Sequence, residues 1–111
     1  MRGLFRFTRK ERIALSDDFR RAMRSGRKLS TKHYLLYLYE NRREHHRLGI
    51  VVKKEVGSAS TRNRMKRYLR EFFRLNKHQI QGALDIVILV KKGDLPNSYH
   101  EVERELKKVL V

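Results

Sequence analysis

A basic helix in the middle of the chain is the feature that most constrains the fold. Over residues 57–75, apolar side chains recur every three to four residues, which predicts a helix with one side packed on a core. The opposite side is almost purely cationic. The apolar side comprises Met65, Tyr68, Leu69, Phe72 and Leu75, and the polar side comprises Asn63, Lys66, Arg67, Arg70 and Arg74.

The charge of this helix favours a polyanionic partner. Glu71 is its only acidic residue, and like charges four residues apart repel one another. The whole chain of 111 residues carries 28 Lys and Arg against 12 Asp and Glu, a formal charge of +16. Nucleic acid is favoured over a membrane, because no apolar run approaches the roughly 20 residues that span a bilayer.

The length and composition indicate one domain over residues 1–111. A chain of this size can bury a modest core but hardly a second one. It contains no cysteine, which excludes disulfides and thiolate metal sites and permits a reducing compartment. We therefore expect a cytoplasmic protein. Residues 1–10 are rich in Arg and lack the apolar run of a secretory signal, so they are predicted to be a mobile basic arm.

The remaining elements are predicted from periodicity and capping signals. A first helix is expected over residues 17–25, with Ser16 as its cap and Gly26 beyond its last turn. Ser98 and Glu101 form a capping box before a last helix. Strand patterns cover residues 33–40, 47–52 and 84–90, with a possible short strand near 28–30.

The strand patterns define the fold class. The first two main strands flank a polar turn and are predicted to pair as an antiparallel hairpin. The third main strand, residues 84–90, is a nearly continuous apolar run, so it is predicted to be central in the sheet. The order is α-β-β-α-β-α, which indicates an α+β domain with a mixed sheet packed by helices.

No catalytic residue or metal ligand is predicted. His45 and His46 are adjacent and point apart in an extended segment, so they are interpreted as loop residues. His33, His78 and His100 are scattered along the chain. No serine lies in a nucleophile setting, and the acidic residues show no spacing that brings a pair together.

Several motifs resemble the signature of the bacterial ribonuclease P protein component. The resemblance covers most of the chain and includes an Asp18-Phe19 pair in the first helix, the aromatic strand, and an Asp-Ile-Val-Ile strand that starts at Asp85. Its most specific parts are a strand motif and a helix motif at fixed distance. These are Arg47-Leu48-Gly49-Ile50-Val51-Val52 and, after Gly57, Arg62-Asn63-Arg64 followed by Lys66-Arg67 and Arg70.

The resemblance implies a function beyond what composition shows. Proteins of that family assist a catalytic RNA, which removes the 5′ leader from precursor tRNA by metal-dependent chemistry. It therefore implies RNase P RNA and precursor tRNA as partners, with no obligate protein partner. Mg²⁺ is expected for the holoenzyme reaction, and no cofactor is expected on the protein alone. The resemblance also implies a left-handed β-α-β crossover around the central helix, an exception to the usual rule.

The resemblance further implies two sets of RNA-binding residues. The leader would lie extended in a cleft between the first helix and the sheet, although Phe19 and Tyr37 fit ordinary core packing equally well on physical grounds. Met23 stands where the family often has an aromatic residue, and Glu55 where a basic one is usual. The leader set comprises Phe19, Met23, Leu35, Tyr37, Tyr39, Arg62, Asn63, Lys66 and Arg70. The RNA-subunit set comprises Lys53, Lys54, Arg64, Arg67 and Arg74.

Other functional classes share part of this pattern. A basic ribosomal or RNA-chaperone protein without a processing role would have the charge but should lack the spaced Arg-x-Gly and Arg-Asn-Arg motifs. A helix-turn-helix DNA reader would need a second helix close to the basic one, whereas strand patterns flank it on both sides. A self-sufficient protein nuclease would need clustered acidic ligands.

Overall fold

In the computed structural model, which describes residues 7–111, the helices and strands follow the order predicted from the sequence. The short strand predicted near residues 28–30 is present and becomes the first strand. Within residues 7–111, three short 3-10 helices lie at Arg9–Glu11, Lys54–Val56 and Lys77–Gln79. The main elements are α1 (Ser16–Ser25), β1 (Arg27–Ser30), β2 (Tyr34–Glu40), β3 (Arg47–Val51), α2 (Ala59–Asn76), β4 (Leu84–Val90) and α3 (Tyr99–Leu110).

The four strands form one mixed sheet in the order β1-β2-β4-β3. The predicted hairpin between β2 and β3 was wrong, because β4 lies between them, antiparallel to β2 and parallel to β3. The strongly apolar β4 is buried on both faces only at a central position, which confirms its predicted place. β2 instead forms its hairpin with β1. The parallel strands β3 and β4 are joined through α2, and the left-handed sense of this crossover stays a prediction.

Helices α2 and α3 close one face of the sheet. Leu36 of β2 and Ile88 of β4 are almost fully buried beneath them, and Tyr34 is completely buried. The apolar sides predicted for both helices are confirmed. The buried members of the predicted sets are Met65, Leu69 and Phe72 of α2, with Val102, Leu106 and Leu110 of α3, while Tyr68, Leu75 and Val109 are half-buried. Phe73 is also buried and lies outside the predicted set.

The start of the described chain packs on α2. The ring of Phe7 meets Phe73 edge to face with centroids 5.4 Å apart. Glu11 accepts a hydrogen bond of 2.5 Å from the buried Lys77 ammonium. An apolar ring and a buried ion pair therefore attach the two ends of residues 7–11 to the protein, and the predicted mobility of the arm stays a prediction. Its first part, residues 1–6, lies outside the described residues.

The ends of the helices show which capping signals operate. The predicted cap at Ser16 was wrong, because Leu15 occupies the N-cap position and its carbonyl accepts from Asp18 and Phe19. Gly26 follows α1 as predicted, and it lets the helix end approach β2. At α3, Ser98 accepts a hydrogen bond from the Glu101 backbone, which confirms that half of the predicted box. The Glu101 carboxylate accepts from the Asn97 backbone instead of from Ser98.

Candidate nucleic-acid interface

The second face of the sheet is only partly covered, by α1. Strand register places Leu35, Tyr37 and Tyr39 of β2 beside Leu89, Val87 and Asp85 of β4 on this face. Only part of the apolar cluster beneath α1 is buried. Its buried members are Ile13, Ala22 and Val87, and its partly buried members are Phe19, Tyr37, Tyr39, Val51 and Leu89.

Phe19 lies directly on the backbone of β3. A Cβ atom at Gly49 would come within 2.5 Å of Cε1 and 2.7 Å of Cζ of the Phe19 ring. No side chain fits there without displacing the ring, so glycine at this position allows α1 to approach β3. The ring is half-buried and therefore also borders the open part of the face.

The uncovered end of this face forms a depression of about 250 Å³. Leu35, Val51 and Leu89 line it with apolar surface, and Lys53 and Glu55 line it with opposite charges. Leu35 from the predicted leader set and Lys53 from the RNA-subunit set therefore border the same hollow. Sequence reasoning missed two further lysines there, Lys91 and Lys92, because their place depends on β4 lying beside β2.

A second depression, of about 180 Å³, joins α1 to the basic side of α2. Phe19 and Gly49 line it together with Lys66 and Arg70. Lys66 is half-buried and Arg70 is exposed. The structure thus brings an aromatic ring and two cations of the predicted leader set together across β3.

The first turns of α2 present most of the remaining cations. Ser58 caps the helix by accepting from the Thr61 backbone at 3.2 Å. Asn63, Arg64 and Arg67 are exposed, as are Lys53 and Lys54 just before the helix. Arg62 is half-buried, and its Nε is buried with no hydrogen-bond partner among residues 7–111.

Arg74 differs from the other members of the predicted RNA-subunit set. Its Nε donates a 2.8 Å hydrogen bond to Glu71, the only acidic residue of α2. This bond lowers the pKa of the Glu71 carboxyl, against the smaller opposite effect of burial. Arg74 is therefore already held by a neighbour on its own helix.

Tyr37 and Tyr39 of β2 are half-buried, so both meanings weighed for Tyr37 are compatible with the structure. Tyr37 and Tyr39 contact the cluster beneath α1 and still reach solvent. Met23, on α1, is 37% exposed. These three residues can pack on the protein and present apolar surface to a ligand at the same time.

A buried charge network lies beneath α1. Arg47 donates from Nε to Asp85 Oδ1 at 2.8 Å and from Nη2 to Asp85 Oδ2 at 2.5 Å. Its Nη1 donates to Asp18 Oδ2 at 3.3 Å. The hydrogen bond to Asp85 raises the pKa of Arg47, against the effect of burial. Sequence reasoning recognised these three residues as parts of separate motifs and missed that they meet.

Two histidines are structural. His46 was interpreted as a loop residue, and it does precede β3, but it is buried. Its Nδ1 accepts from the Leu84 backbone at 3.0 Å, and its Nε2 bonds to the Ile80 carbonyl at 2.9 Å. His33 contacts Glu105 at 2.6 Å. Within residues 7–111, no three His, Asp or Glu side chains are grouped so that they could hold a metal ion.

No helix in the described part of the chain is long and apolar enough to cross a membrane.

Comparison with known proteins identifies relatives over almost the whole chain. A family model described as Ribonuclease P matches residues 7–111. The ribonuclease P protein component of Syntrophobacter fumaroxidans is 44% identical over 107 residues, covering 96% of this chain and 90% of the relative. That of Thermotoga maritima is 41% identical over 86 residues, covering 78% of this chain and 74% of the relative.

Solved structures of similar proteins have the same fold. The RNase P protein of Staphylococcus aureus matches with a TM-score of 0.81 at 31% identity, covering 89% of this chain and 91% of that one. The RNase P protein of Thermotoga maritima matches with a TM-score of 0.78 at 33% identity, covering 90% and 94%. The chain therefore belongs to the ribonuclease P protein component family.

Proposed function

We propose that this protein is the subunit of ribonuclease P that binds the catalytic RNA and the 5′ leader of precursor tRNA. Membership of the family supports a role in this endoribonuclease and association with RNase P RNA. The observation that carries the leader assignment is the depression where Phe19 meets Lys66 and Arg70. Aromatic platforms beside a positive groove are a general way of holding single-stranded nucleic acid without sequence preference.

The leader lies extended along the open face of the sheet in this proposal. Bases stack on Phe19 and Tyr37, each with ~1 to 3 kcal/mol. Additional apolar contact comes from Met23, Leu35 and Tyr39. The Met23 side chain is flexible and polarizable, so it contacts a base without the flat stacking surface of an aromatic ring. The phosphates are bound by the cations of the leader set on α2, with Asn63 as a neutral donor. Those cations are Arg62, Lys66 and Arg70.

The RNA subunit binds the other cations around the start of α2. Arg64 and Arg67 are exposed on the helix, and Lys53 and Lys54 are exposed on the segment before it. Guanidinium groups suit phosphates because they donate two parallel hydrogen bonds. Arg74 completes this set, with one of its donors engaged by Glu71.

The protein binds and positions, and the RNA carries the chemistry, in the division of roles that we propose. No residue of the protein is assigned a catalytic step, and Mg²⁺ is required by the holoenzyme. The cations of α2 bring RNA subunit and substrate together by reducing phosphate repulsion between them. We expect this activity in the cytoplasm.

The test is reconstitution with purified components. RNase P RNA and a precursor tRNA are mixed at low magnesium with and without the protein, and 5′ cleavage is followed. We expect the protein to stimulate cleavage strongly, whereas protein without RNA should leave the precursor intact. Cleavage by the protein alone would contradict the assigned roles. Unstimulated cleavage, with equal binding of unrelated RNAs, would favour a general RNA-chaperone function instead.

A further inference from the structure

Two consecutive residues of α1 contact two residues of β3 on the same side of that strand. Asp18 accepts from Arg47, and Phe19 lies on Gly49. Arg47 and Gly49 are two positions apart and therefore point to the same face of the sheet. The helix is held at one point by charge and at the next by close apolar contact.

The charged contact is built from the sheet outward. Both oxygens of Asp85 accept from Arg47, and this two-point bond fixes the plane of the guanidinium group. Asn41 donates to the same carboxylate at 2.8 Å, which holds Asp85 in turn. The remaining Nη1 of Arg47 is then directed at Asp18. The side chains of Arg47 and Asp18 are each 9% exposed, and that of Asp85 is 2% exposed.

A network of this kind contributes orientation more than net stability. Desolvation of buried charges offsets much of their attraction, and apolar residues of similar volume often serve stability equally well. A charge network, however, permits only arrangements in which each donor keeps its acceptor. Gly49 sets the distance between α1 and β3, and Arg47 sets which residues of α1 face the strand.

We propose that Arg47 and Asp18 are positioning residues that hold the Phe19 ring at the depression it shares with Lys66 and Arg70. This depression, in which we place the leader, is called the leader groove. This inference rests on the proposed function, because the groove is its readout. It explains why the Asp18-Phe19 pair and the Arg-x-Gly strand occur together in one chain. The two motifs are the two halves of one contact.

A double-mutant cycle tests this proposal. Asp18→Asn, Phe19→Ala and the double variant are assembled into holoenzyme, and affinities for precursor and mature tRNA are measured. We expect Asp18→Asn alone to weaken precursor binding about tenfold. If this effect is absent without the Phe19 ring, the coupling between the two residues is also about tenfold, within the usual range for contacting residues. In the Phe19→Ala background, Asp18→Asn should have little further effect. Mature tRNA, which has no leader, should bind all variants equally.

Asp17→Asn is the matched control. Asp17 lies in the same helical turn, pairs with Arg20, and is 77% exposed. The two substitutions remove the same charge next to the same helix end, so only the buried contact differs. Asp17→Asn should leave precursor binding unchanged. Gly49→Ala is a second probe, because its Cβ displaces the ring and leaves the charges in place, and it should also weaken precursor binding selectively.

The outcomes separate this inference from the proposed function. If Phe19→Ala weakens precursor binding but Asp18→Asn has the same effect in both backgrounds, the positioning role is overturned alone. The positioning role is also overturned if Asp18→Asn weakens the binding of precursor and mature tRNA equally in protein that melting shows to be folded. If Phe19→Ala leaves precursor binding unchanged, the leader groove and this inference are both overturned.

Discussion

The two faces of the sheet are built from the same strands and have different degrees of cover. On β2, Tyr34 and Leu36 point to the face beneath α2 and α3 and are completely buried. The alternate residues Leu35 and Tyr37 point to the α1 face and are half-buried. Because side chains alternate along a strand, one sequence supplies both a closed core and an open groove.

Apart from the buried network of Arg47, Asp85 and Asp18 beneath α1, charged groups differ between the faces in the same way. On the closed face, Glu105 of α3 binds His33 and Thr31, so its charge is used within the protein. Beside the open face, Lys66 and Arg70 form no ion pair with any of residues 7–111. Changes on the closed face should therefore affect folding, and changes on the open face should affect binding.

The largest expected effect is on the closed face. Phe72 is 1% exposed in the core between α2 and the sheet. Phe72→Ala removes a ring from a packed core, which should lower the free energy of unfolding by ~3 to 5 kcal/mol. Chemical denaturation measures this change. Tyr37→Ala on the half-open face serves as the comparison, and an equal loss of stability in the two variants would contradict the distinction between the faces.

A smaller effect is expected on the open face. Tyr37→Ala should weaken binding of leader-bearing precursor tRNA to the holoenzyme by ~1 to 3 kcal/mol, because one stacking platform is lost. The dependence of binding on salt should hardly change, since no charge is removed. Affinities for precursor and mature tRNA are measured across a salt series, with melting as a check of folding. Equal weakening for both RNAs would show that Tyr37 is not a leader platform.

Local patterns predicted the elements and the two faces correctly. The alternation of β2 indicated a strand with two usable faces, and the burial of its residues confirms it. The apolar stripe of α2 likewise predicted the burial of Met65, Leu69 and Phe72, but not that of Phe73. These features depend on neighbours within one element, so periodicity alone is sufficient to predict them.

Features that depend on distant segments could not be predicted in this way. The hairpin of β2 and β3 was predicted because the two strands are neighbours along the chain. In the sheet, β4 lies between β2 and β3, where both of its faces are buried. Buried charges such as Arg47 and Asp85 contradict the usual exposure of these residue types, and only their partners account for them. Phe7 lies in a segment rich in Arg and Lys, which does not indicate a packed residue. Its contact with Phe73 joins segments that are far apart in the sequence.

The next prediction concerns charge on the binding side. Arg67→Ala removes an exposed cation of α2, so the log-log dependence of holoenzyme assembly on salt should flatten by ~0.7 to 0.9 units, about one phosphate contact. The salt dependence of substrate binding to the holoenzyme should flatten by the same amount for substrates with and without a leader. Arg104→Ala is the matched control, because Arg104 is an exposed arginine on α3. An unchanged slope for Arg67→Ala would remove it from the RNA-subunit contact.

The smallest expected effect is the acid sensitivity of the closed face. Burial raises the pKa of Glu105, but hydrogen bonds from His33 and Thr31 outweigh it, so the pKa lies below its ordinary value of 4.5. A depressed pKa means that the carboxylate stabilises the fold above pH 4.5, and this contribution is lost as pH falls through the lower folded value. The free energy of unfolding is measured against pH for the protein and for Glu105→Gln. We expect the gap between them to be full near pH 6 and to narrow below about pH 4.5, where the carboxylate becomes protonated. A gap that stays constant or widens on acidification would show that Glu105 does not stabilise the closed face through its charge.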